Sequence, residues 1–521
     1  AGAAHEELPL RDAVAALGIQ VGALDRLSQG AVVGARRERS IQRLVHPGAR
    51  VVGRHAHRGG EGVVVVEAAD GCDQLGSRGQ LVGERLLLLD GDELVRPSGD
   101  LTDPGRYTWG GAGAAIDEAH ARGWKVVVTL NTPAPRWATQ GAVDNITRPR
   151  PSDLQHFFTA AGRRFGASAT WWAVLNEPNL YQFLLPQFVK GKPAAGGIYR
   201  SLFLAARTGL NDAGLPKAKM LFGETAPRGN NLNVAPLALL RGALCLNKQY
   251  KRVGHCKKLP IDGYAHHPYT TAQGPYFVPP RNKPDDVTLG SLSRLEKALD
   301  KAAKAKVVKK HLPIFFTEFG VQSYPDKSLG VSLSKQSDYR SIAEYMAWKD
   351  PRVAGFSQYL LYDDAPREGV PSYLRYGGFE SGLIAYAGLK RKPAYNSFRT
   401  PLVVLPGAKG KATLWGLVRP ATGATKARIE TSDKGKAWKK LLIAKTKADG
   451  SWTAKTSNRT GRTWRVRWSA SCGPSAPRSP GSTPATAPST ISGTISRTCA
   501  PWSRMCRRAR CPGRPPAATS S

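Results

Sequence analysis

Two glutamates stand at the ends of apolar segments in this 521-residue chain. Glu177 directly follows the segment WWAVLN (171–176), and Glu318 lies near the end of LPIFFTEFG (312–320). Cleavage of a glycosidic bond with retention needs two carboxyl groups roughly 5 to 5.5 Å apart, one protonated to assist the leaving group and one ionised to attack the anomeric carbon. A single glutamate at a strand end is more often a cap or an ion-pair partner. Two glutamates in such similar surroundings predict a catalytic pair.

The elements that must position them alternate regularly between residues 101 and 400. Apolar, β-branched segments are separated by amphipathic helical segments, a pattern typical of parallel βαβ units. In a (β/α)8 barrel the active site lies at the carboxyl ends of the strands, where both glutamates are found. The predicted fold class is therefore α/β, with a (β/α)8 TIM barrel as catalytic domain. The six predicted strands are 125–131, 171–176, 219–224, 261–269, 312–320 and 353–362.

A closed barrel needs two more strands, which residues 1–100 would have to supply. This segment contains no Phe, Tyr, Trp, Lys, Asn, Met or Thr, and a folded domain almost never omits aromatic residues over such a length. Our hypothesis is that the anomalous segment was mistranslated from a wrong start or reading frame. Its candidate strands are GVVVVEAAD (62–70) and ERLLLLDGD (84–92).

The chain changes character again after the barrel. Residues 401–468 alternate in short strands separated by turns, which predicts a small all-β sandwich domain. From residue 469 to 521 the sequence is rich in Ser, Pro, Thr, Ala and Arg, and lysine is absent after Lys455. We predict a low-complexity, disordered tail there, with a second reading-frame error as the alternative.

The surroundings of the two glutamates resemble the motifs of a known superfamily. The runs NEP (176–178) and TEFG (317–320) are similar to those of glycoside hydrolase clan A, the cellulase-like superfamily with its family 5 and family 39 types of retaining glycosidase. The resemblance covers roughly residues 101–400. It implies that Glu177 is the acid/base after the fourth strand and Glu318 the nucleophile at the end of the seventh.

The same resemblance implies roles for neighbouring residues. Asn176 would bind the 2-hydroxyl of the sugar, and the run HPY (267–269) matches the His-x-Tyr of the sixth strand. Tyr269 would then contact Glu318, and a phenol that donates to a carboxylate favours its ionised form. His267 is a further candidate for substrate contact. So are Trp137 as a cleft wall, His266, Glu224 at the end of the fifth strand and Tyr359 on the eighth.

Some of these candidates have structural alternatives, and the chain departs from the clan pattern. His266 is equally well explained as polar filling of the barrel mouth, and Glu224 as a strand-end hydrogen-bond anchor. Clan members usually carry an Arg near the end of the second strand, which cannot be placed in residues 1–100. The Trp platform usual on the eighth strand is replaced by residues such as Tyr359.

Other kinds of chemistry find little support in residues 101–468. This region has no convincing Gly-rich phosphate loop, zinc-type Cys/His spacing or serine-nucleophile elbow, and no metal or organic cofactor is expected. The net charge of +37 would suit nucleic acid or another acidic polymer, but the lysines are spread over solvated segments such as 297–310. We expect a monomer acting on an oligo- or polysaccharide, with neither nucleic acid nor membrane as partner.

Two other functions and the cellular compartment stay open. A barrel that binds carbohydrate without catalysis and a basic binding protein for acidic polymers are the alternatives. Cys245 and Cys256 are spaced to close a short loop, as a disulfide that would indicate export or as two buried thiols. No signal peptide is visible in residues 1–30, and secretion is our expectation.

Overall fold

The computed structural model describes residues 96, 98–372, 374–419 and 423–468, together with the backbone of four strands within residues 49–87 and 491–495. Most of the anomalous N-terminal segment and of residues 469–521 lies outside the described residues, so the hypotheses on their origin and disorder stay predictions. Within the described part of the chain, no helix is long and apolar enough to cross a membrane.

The protein has a mixed α/β fold built on one large curled sheet. Its strands follow in the order β1 (Ala49–Val52), β2 (Val63–Ala69), β3 (Lys125–Asn131), β4 (Trp171–Val174), β5 (Met220–Thr225), β6 (Gly263–His266), β7 (Ile314–Phe319) and β8 (Val353–Gln358). Neighbouring strands from β2 to β8 pair in parallel, whereas β1 and β2 pair antiparallel. Strand β8 also approaches β2, so the sheet curls round on itself.

The six strands β3 to β8 lie at the predicted positions, whereas the first two differ from the prediction. The candidate 62–70 provides β2, but the candidate 84–92 provides only the two-residue strand Leu86–Leu87, which pairs with Tyr107–Thr108 outside the large sheet. Its place is taken by β1, which was not predicted. Only residues 53–62 separate β1 from β2, and a parallel crossover needs a dozen or more residues. The antiparallel pairing follows from that short connection.

Helices follow most of the strands and cover the outer face of the sheet. They are α1 (Gly110–Ala121), α2 (Pro151–Phe165), α3 (Ala195–Asp212), α4 (Pro236–Ala243), α5 (Ser293–Lys304), α6 (Leu333–Lys349) and α7 (Pro393–Arg399). Helices α2 and α3 touch at Gly209, where a Cβ would overlap the carbonyl oxygen of Gln155. Inside the curl, the inward-facing residues form a separate apolar cluster below the site, made of Val127, Ala173, Leu221, Ala265 and Phe315.

Two antiparallel sheets make up the C-terminal β-module, which consists of the described residues from 401 to 468 and the strand 491–495. Its strands are β9 (Leu402–Pro406), β10 (Lys411–Leu417), β11 (Lys426–Asp433), β12 (Lys439–Lys445), β13 (Ser451–Ser457), β14 (Arg462–Trp468) and β15 (Ile491–Ile495). One sheet has the order β9-β10-β13 and the other β12-β11-β14-β15. Their inner faces enclose a core that includes Trp452, Trp464 and Trp468.

The β-module rests on α6 through a buried ionic network. Glu344 accepts hydrogen bonds from Arg340 at 2.9 Å and from Arg419, which enters from the β-module. Both guanidinium groups lie over the ring of Phe398, at 4.6 and 4.7 Å from its centre. Because buried charges are costly unless paired, this network fixes how the two parts of the chain meet.

Candidate active site

The two predicted catalytic glutamates meet at one edge of the sheet. Glu177 follows β4 and Glu318 lies in β7, and parallel strands bring their carboxyl ends to the same edge. One carboxyl oxygen of each and Nδ1 of His267 all lie within 4.8 Å of one another. By distance these three atoms could ligate a cation, but Nδ1 and Glu177 are already hydrogen-bonded to each other.

The position of Glu177 depends on an unusual backbone. Leu175 and Glu177 have φ values of 57° and 42°, in the left-handed region that non-glycine residues rarely adopt. Neighbouring strand ends hold this turn: Asn131 Oδ1 accepts from the Asn176 amide at 2.8 Å, and the Glu177 amide donates to the Glu224 carbonyl at 2.9 Å. The side chain of Glu177 is thereby turned toward β6 and β7.

His267 links the two carboxylates. Its Nδ1 lies 3.0 Å from Glu177 Oε1 and 3.6 Å from Glu318 Oε2, and its Nε2 lies 3.1 Å from Thr317 Oγ1. The ring is fully buried. Burial alone would lower the pKa of His267, but the charges of Glu318, Glu177 and Glu224 raise this pKa to about 10. At neutral pH the ring is therefore an imidazolium that donates from both nitrogens.

Tyr269 makes the predicted contact with the nucleophile candidate. Its hydroxyl donates to Glu318 Oε2 at 2.9 Å. Burial and the charge of Glu318 raise the pKa of Tyr269 well above its ordinary value, so the phenol keeps the proton that it donates. Its ring is stacked on Phe319 and meets Tyr359 edge-on, with centroids 6.3 Å apart. Tyr359 is buried, and its contact with a sugar stays a prediction.

Glu224 is a third carboxylate, buried beneath the other two. It ends β5 with φ at 45° and is fully inaccessible to solvent. Thr129 Oγ1 donates to its Oε2 at 3.4 Å, and His267 Nε2 lies 4.0 Å from the same oxygen. Glu224 was predicted to line the cleft. The structure instead supports the alternative of a strand-end anchor, because the surface of its side chain is covered by protein.

His266, a candidate for substrate contact, has surroundings that favour the alternative of polar filling at the barrel mouth. Its Nδ1 lies 2.9 Å from Thr225 Oγ1 and its Nε2 lies 3.0 Å from the Val287 carbonyl oxygen. Burial lowers the pKa of His266 to about 3, so the ring is neutral. Both nitrogens are engaged inside the protein, and a contact of His266 with a sugar stays a prediction.

Asn176 and Trp137 have different surroundings. Asn176 is buried beside Glu177, and its Oδ1 has no hydrogen-bond partner within the described part of the chain. Trp137 follows β3 and packs with Leu101 and Ala138 in a small cluster at the same edge of the sheet. Contacts of both residues with substrate stay predictions.

Three residues of the site were missed at the sequence level. Thr317 bonds His267, Asn131 bonds the Asn176 amide, and Thr129 bonds Glu224. Each is a polar residue in an otherwise apolar strand end, KVVVTLN or IFFTEF. A polar residue at such a position could have been predicted to bond a site residue, since a polar side chain buried among apolar neighbours needs a hydrogen-bond partner.

No protein-family profile and no curated protein matches the chain. Solved structures similar to it include xylanase 10B from Thermotoga maritima (17% identity, 57% of this chain and 80% of that chain covered, TM-score 0.36). They also include the β-glycosidase from Thermosphaera aggregans (14% identity, 55% and 69%, TM-score 0.34) and a β-glucuronidase from Ruminococcus gnavus (17%, 54% and 40%, TM-score 0.31).

The chain spans less than half the length of the β-glucuronidases that it matches. These structural neighbours are glycoside hydrolases, the enzyme class whose motifs the sequence resembles.

Proposed function

We propose that this protein is a retaining glycoside hydrolase that cleaves β-glycosidic bonds of an oligo- or polysaccharide by double displacement. The observation that carries the proposal is the closeness of two carboxyl groups at one strand edge, with an oxygen of Glu177 and one of Glu318 within 4.8 Å. Retaining enzymes hold these groups roughly 5 to 5.5 Å apart, whereas inverting enzymes need about 6.5 to 9.5 Å to admit a water.

In the first step Glu318 attacks the anomeric carbon while Glu177 gives its proton to the departing oxygen. The Tyr269 hydroxyl and the His267 imidazolium both stabilise Glu318 as a carboxylate. The bond to the leaving group breaks, and a glycosyl ester forms on Glu318. In this proposal the 2-hydroxyl of the sugar donates a hydrogen bond to Asn176 Oδ1, a buried oxygen that has no hydrogen-bond partner within the described residues.

In the second step Glu177 acts as the base. Glu177 has given its proton to the leaving group in the first step and is therefore a carboxylate when the glycosyl ester is present. His267 Nδ1, 3.0 Å away, then stabilises the Glu177 carboxylate. Glu177 takes a proton from water, which attacks the anomeric carbon and releases Glu318 with net retention.

We also propose that the protein is secreted, and that residues 101–400 form its catalytic domain and residues 401–468 an accessory domain. Cys245 and Cys256 are joined as a disulfide, with their Cα atoms 6.2 Å apart. Structural disulfides persist in oxidising compartments outside the cytosol. Alkylation of Cys245 and Cys256 as free thiols, detected by peptide mass spectrometry of protein purified from the culture medium, would contradict this part of the proposal.

The catalytic roles are tested with two variants and activated aryl β-glycosides. Glu318→Ala should lose nearly all turnover whatever the leaving group, because no glycosyl-enzyme forms. Glu177→Ala should lose about 10²–10⁴-fold on poor leaving groups but still be glycosylated by a dinitrophenyl glycoside, and azide should restore its turnover by attacking the intermediate. Glu368→Ala, at an exposed position after β8, is the matched control and should keep full activity.

Each alternative has its own outcome in this experiment. Azide rescue of Glu318→Ala with no effect on Glu177→Ala would show that the two roles are exchanged. Absence of turnover in the unmodified protein across a panel of sugars, together with retained binding of oligosaccharides, would identify a carbohydrate-binding barrel without catalysis.

A further inference from the structure

Positive charge is concentrated in the β-module. Residues 401–468 contain ten lysines and six arginines against three acidic residues, whereas residues 101–400 contain 41 basic and 22 acidic residues. The excess of positive charge per residue is thus about three times greater in the β-module. Such an excess opposes compact folding through self-repulsion unless an anionic partner offsets it.

Much of this charge lies on one sheet face. Strands β11, β12 and β14 alternate, so that residues such as Ala427, Ile429 and Val466 point into the core and their neighbours point outward. Across the strands Lys426 is paired with Lys445 and Arg428 with Arg467. We call this outer surface the basic face, made of Lys426, Arg428, Lys440, Lys445, Arg465 and Arg467.

The acidic residue on the basic face is already neutralised. Glu430 lies between the strands and is paired with Arg428 Nε at 2.7 Å and with Arg465 at 2.7 Å. Burial would raise the pKa of Glu430, but the neighbouring guanidinium groups lower it, so it is ionised and occupied. Lys426, Lys440 and Lys445 are exposed and lie outside this cluster, which leaves the face strongly positive.

An aromatic ring borders the charges. The guanidinium of Arg465 lies over the ring of half-buried Trp438, 4.3 Å from its centroid. Ile443, on the same face, is 46% exposed. Adjacent strands are about 4.8 Å apart, and alternate residues along a strand about 6.8 Å apart. The face therefore presents closely spaced cations beside an apolar platform.

We infer that the basic face binds an anionic polysaccharide, whose carboxylate or sulfate groups pair with its lysines and arginines and one of whose sugar rings packs on Trp438. Charge complementarity selects a polyanion, and only the choice of polysaccharide over nucleic acid rests on the proposed glycosidase function of the barrel. Through this contact the β-module keeps the barrel close to a polymeric substrate, which raises the effective concentration of cleavable bonds.

Binding is measured by isothermal titration calorimetry with the full chain at two salt concentrations. The probes are polygalacturonate for carboxylates, dextran sulfate for sulfates, uncharged dextran, and duplex DNA. The face variant is Lys426→Gln with Lys440→Gln and Lys445→Gln. The matched control is Lys409→Gln with Lys411→Gln and Lys455→Gln, which removes the same charge from exposed positions at the other sheet.

The face variant should bind at least one of the two anionic polysaccharides about tenfold more weakly, and the control variant less than about threefold more weakly. Binding of the unmodified protein should weaken as salt rises, and Trp438→Ala should weaken polysaccharide binding further. The anionic polysaccharide that binds more tightly shows whether the basic face prefers carboxylate or sulfate groups.

Three outcomes would overturn the inference: equal losses in both triple variants, equal binding of dextran, or tighter binding of duplex DNA than of either polyanionic polysaccharide. The binding assay needs no catalysis. If the unmodified protein binds as expected but shows no glycosidase turnover, the proposed function fails while the basic face stands. The face variant should keep the turnover of a small aryl glycoside, which does not reach the β-module.

Discussion

Replacing His267 by glutamine should move the acidic limb of kcat/KM to higher pH. The imidazolium lies 3.6 Å from Glu318 Oε2, and at an effective dielectric constant near 20 this attraction amounts to about 5 kcal/mol. That energy corresponds to roughly three pH units. Water entering the altered site would screen part of it, so we expect a displacement of about one to three units.

The stability of the same variant should depend on pH in a defined direction. The pKa of His267 is raised from 6.5 to about 10 in the folded protein. Its stabilising contribution is therefore fully present below pH 6.5 and is lost as pH rises toward 10. The difference in melting temperature between the unmodified protein and His267→Gln should be largest near pH 6 and shrink by pH 9.5.

His266→Gln is the matched control. This neighbouring ring is as deeply buried, but burial lowers its pKa to about 3, and it bonds Thr225 and Val287 rather than a carboxylate. We expect it to destabilise the protein above pH 6.5 without moving the acidic limb. A folded His267→Gln variant whose acidic limb moves by less than about 0.3 units would refute the assignment of His267 as the charge that holds Glu318 ionised.

Three further predictions concern stability. Glu344→Gln should lower the free energy of unfolding in urea by about 3–5 kcal/mol, because it leaves the buried guanidinium groups of Arg340 and Arg419 uncompensated. The control Asp117→Asn, which breaks the surface ion pair with Arg164, should lower it by less than about 1 kcal/mol. Replacing Cys245 and Cys256 by serine should cost about 3 kcal/mol for a loop of 11 residues; an unchanged melting temperature would contradict this. Burial raises the pKa of Asp338 from 3.8 to about 6. The contribution of the protonated Asp338 carboxyl to the stability of the folded protein is therefore fully present below pH 3.8 and is lost as pH rises through 6. Asp338→Asn should accordingly stabilise the protein by about 1–2 kcal/mol at pH 8 and not at pH 3.5.

Local sequence patterns were sufficient for the middle of the large sheet. Strand β3 has the bounds that KVVVTLN predicts, and β7 lies within the predicted 312–320. Buried parallel strands are continuous apolar runs bounded by helices, so composition alone marks them. Strand β1 has only four residues, ARVV, and its pairing depends on β2 rather than on its own pattern. A strand this short cannot be predicted from its own residue pattern.

The sequence predicts where the two histidines of the site lie, but not the charge that each of them carries. His266 is the last residue of β6 and His267 follows it, yet the first is neutral and the second is an imidazolium between two carboxylates. The His266 ring contacts Thr225 and Val287, whereas the His267 ring contacts Glu177 and Thr317. The sequence shows two adjacent histidines at the end of an apolar segment, but the charge of His267 depends on Glu177 and Glu318, which are distant in the chain.

The separation of the two glutamates also depends on contacts between strands. Glu177 and Glu224 both adopt left-handed φ values, 42° and 45°, which cost of order 1–3 kcal/mol each for residues other than glycine. The hydrogen bond from the Glu177 amide to the Glu224 carbonyl joins the two strained turns, and each helps to hold the other. Relaxation of either turn would swing a carboxyl group away from His267. The distance between Glu177 and Glu318, which distinguishes retention from inversion, therefore depends on β5 as well as on β4 and β7. For this reason the sequence pattern identifies the carboxylates without fixing their spacing.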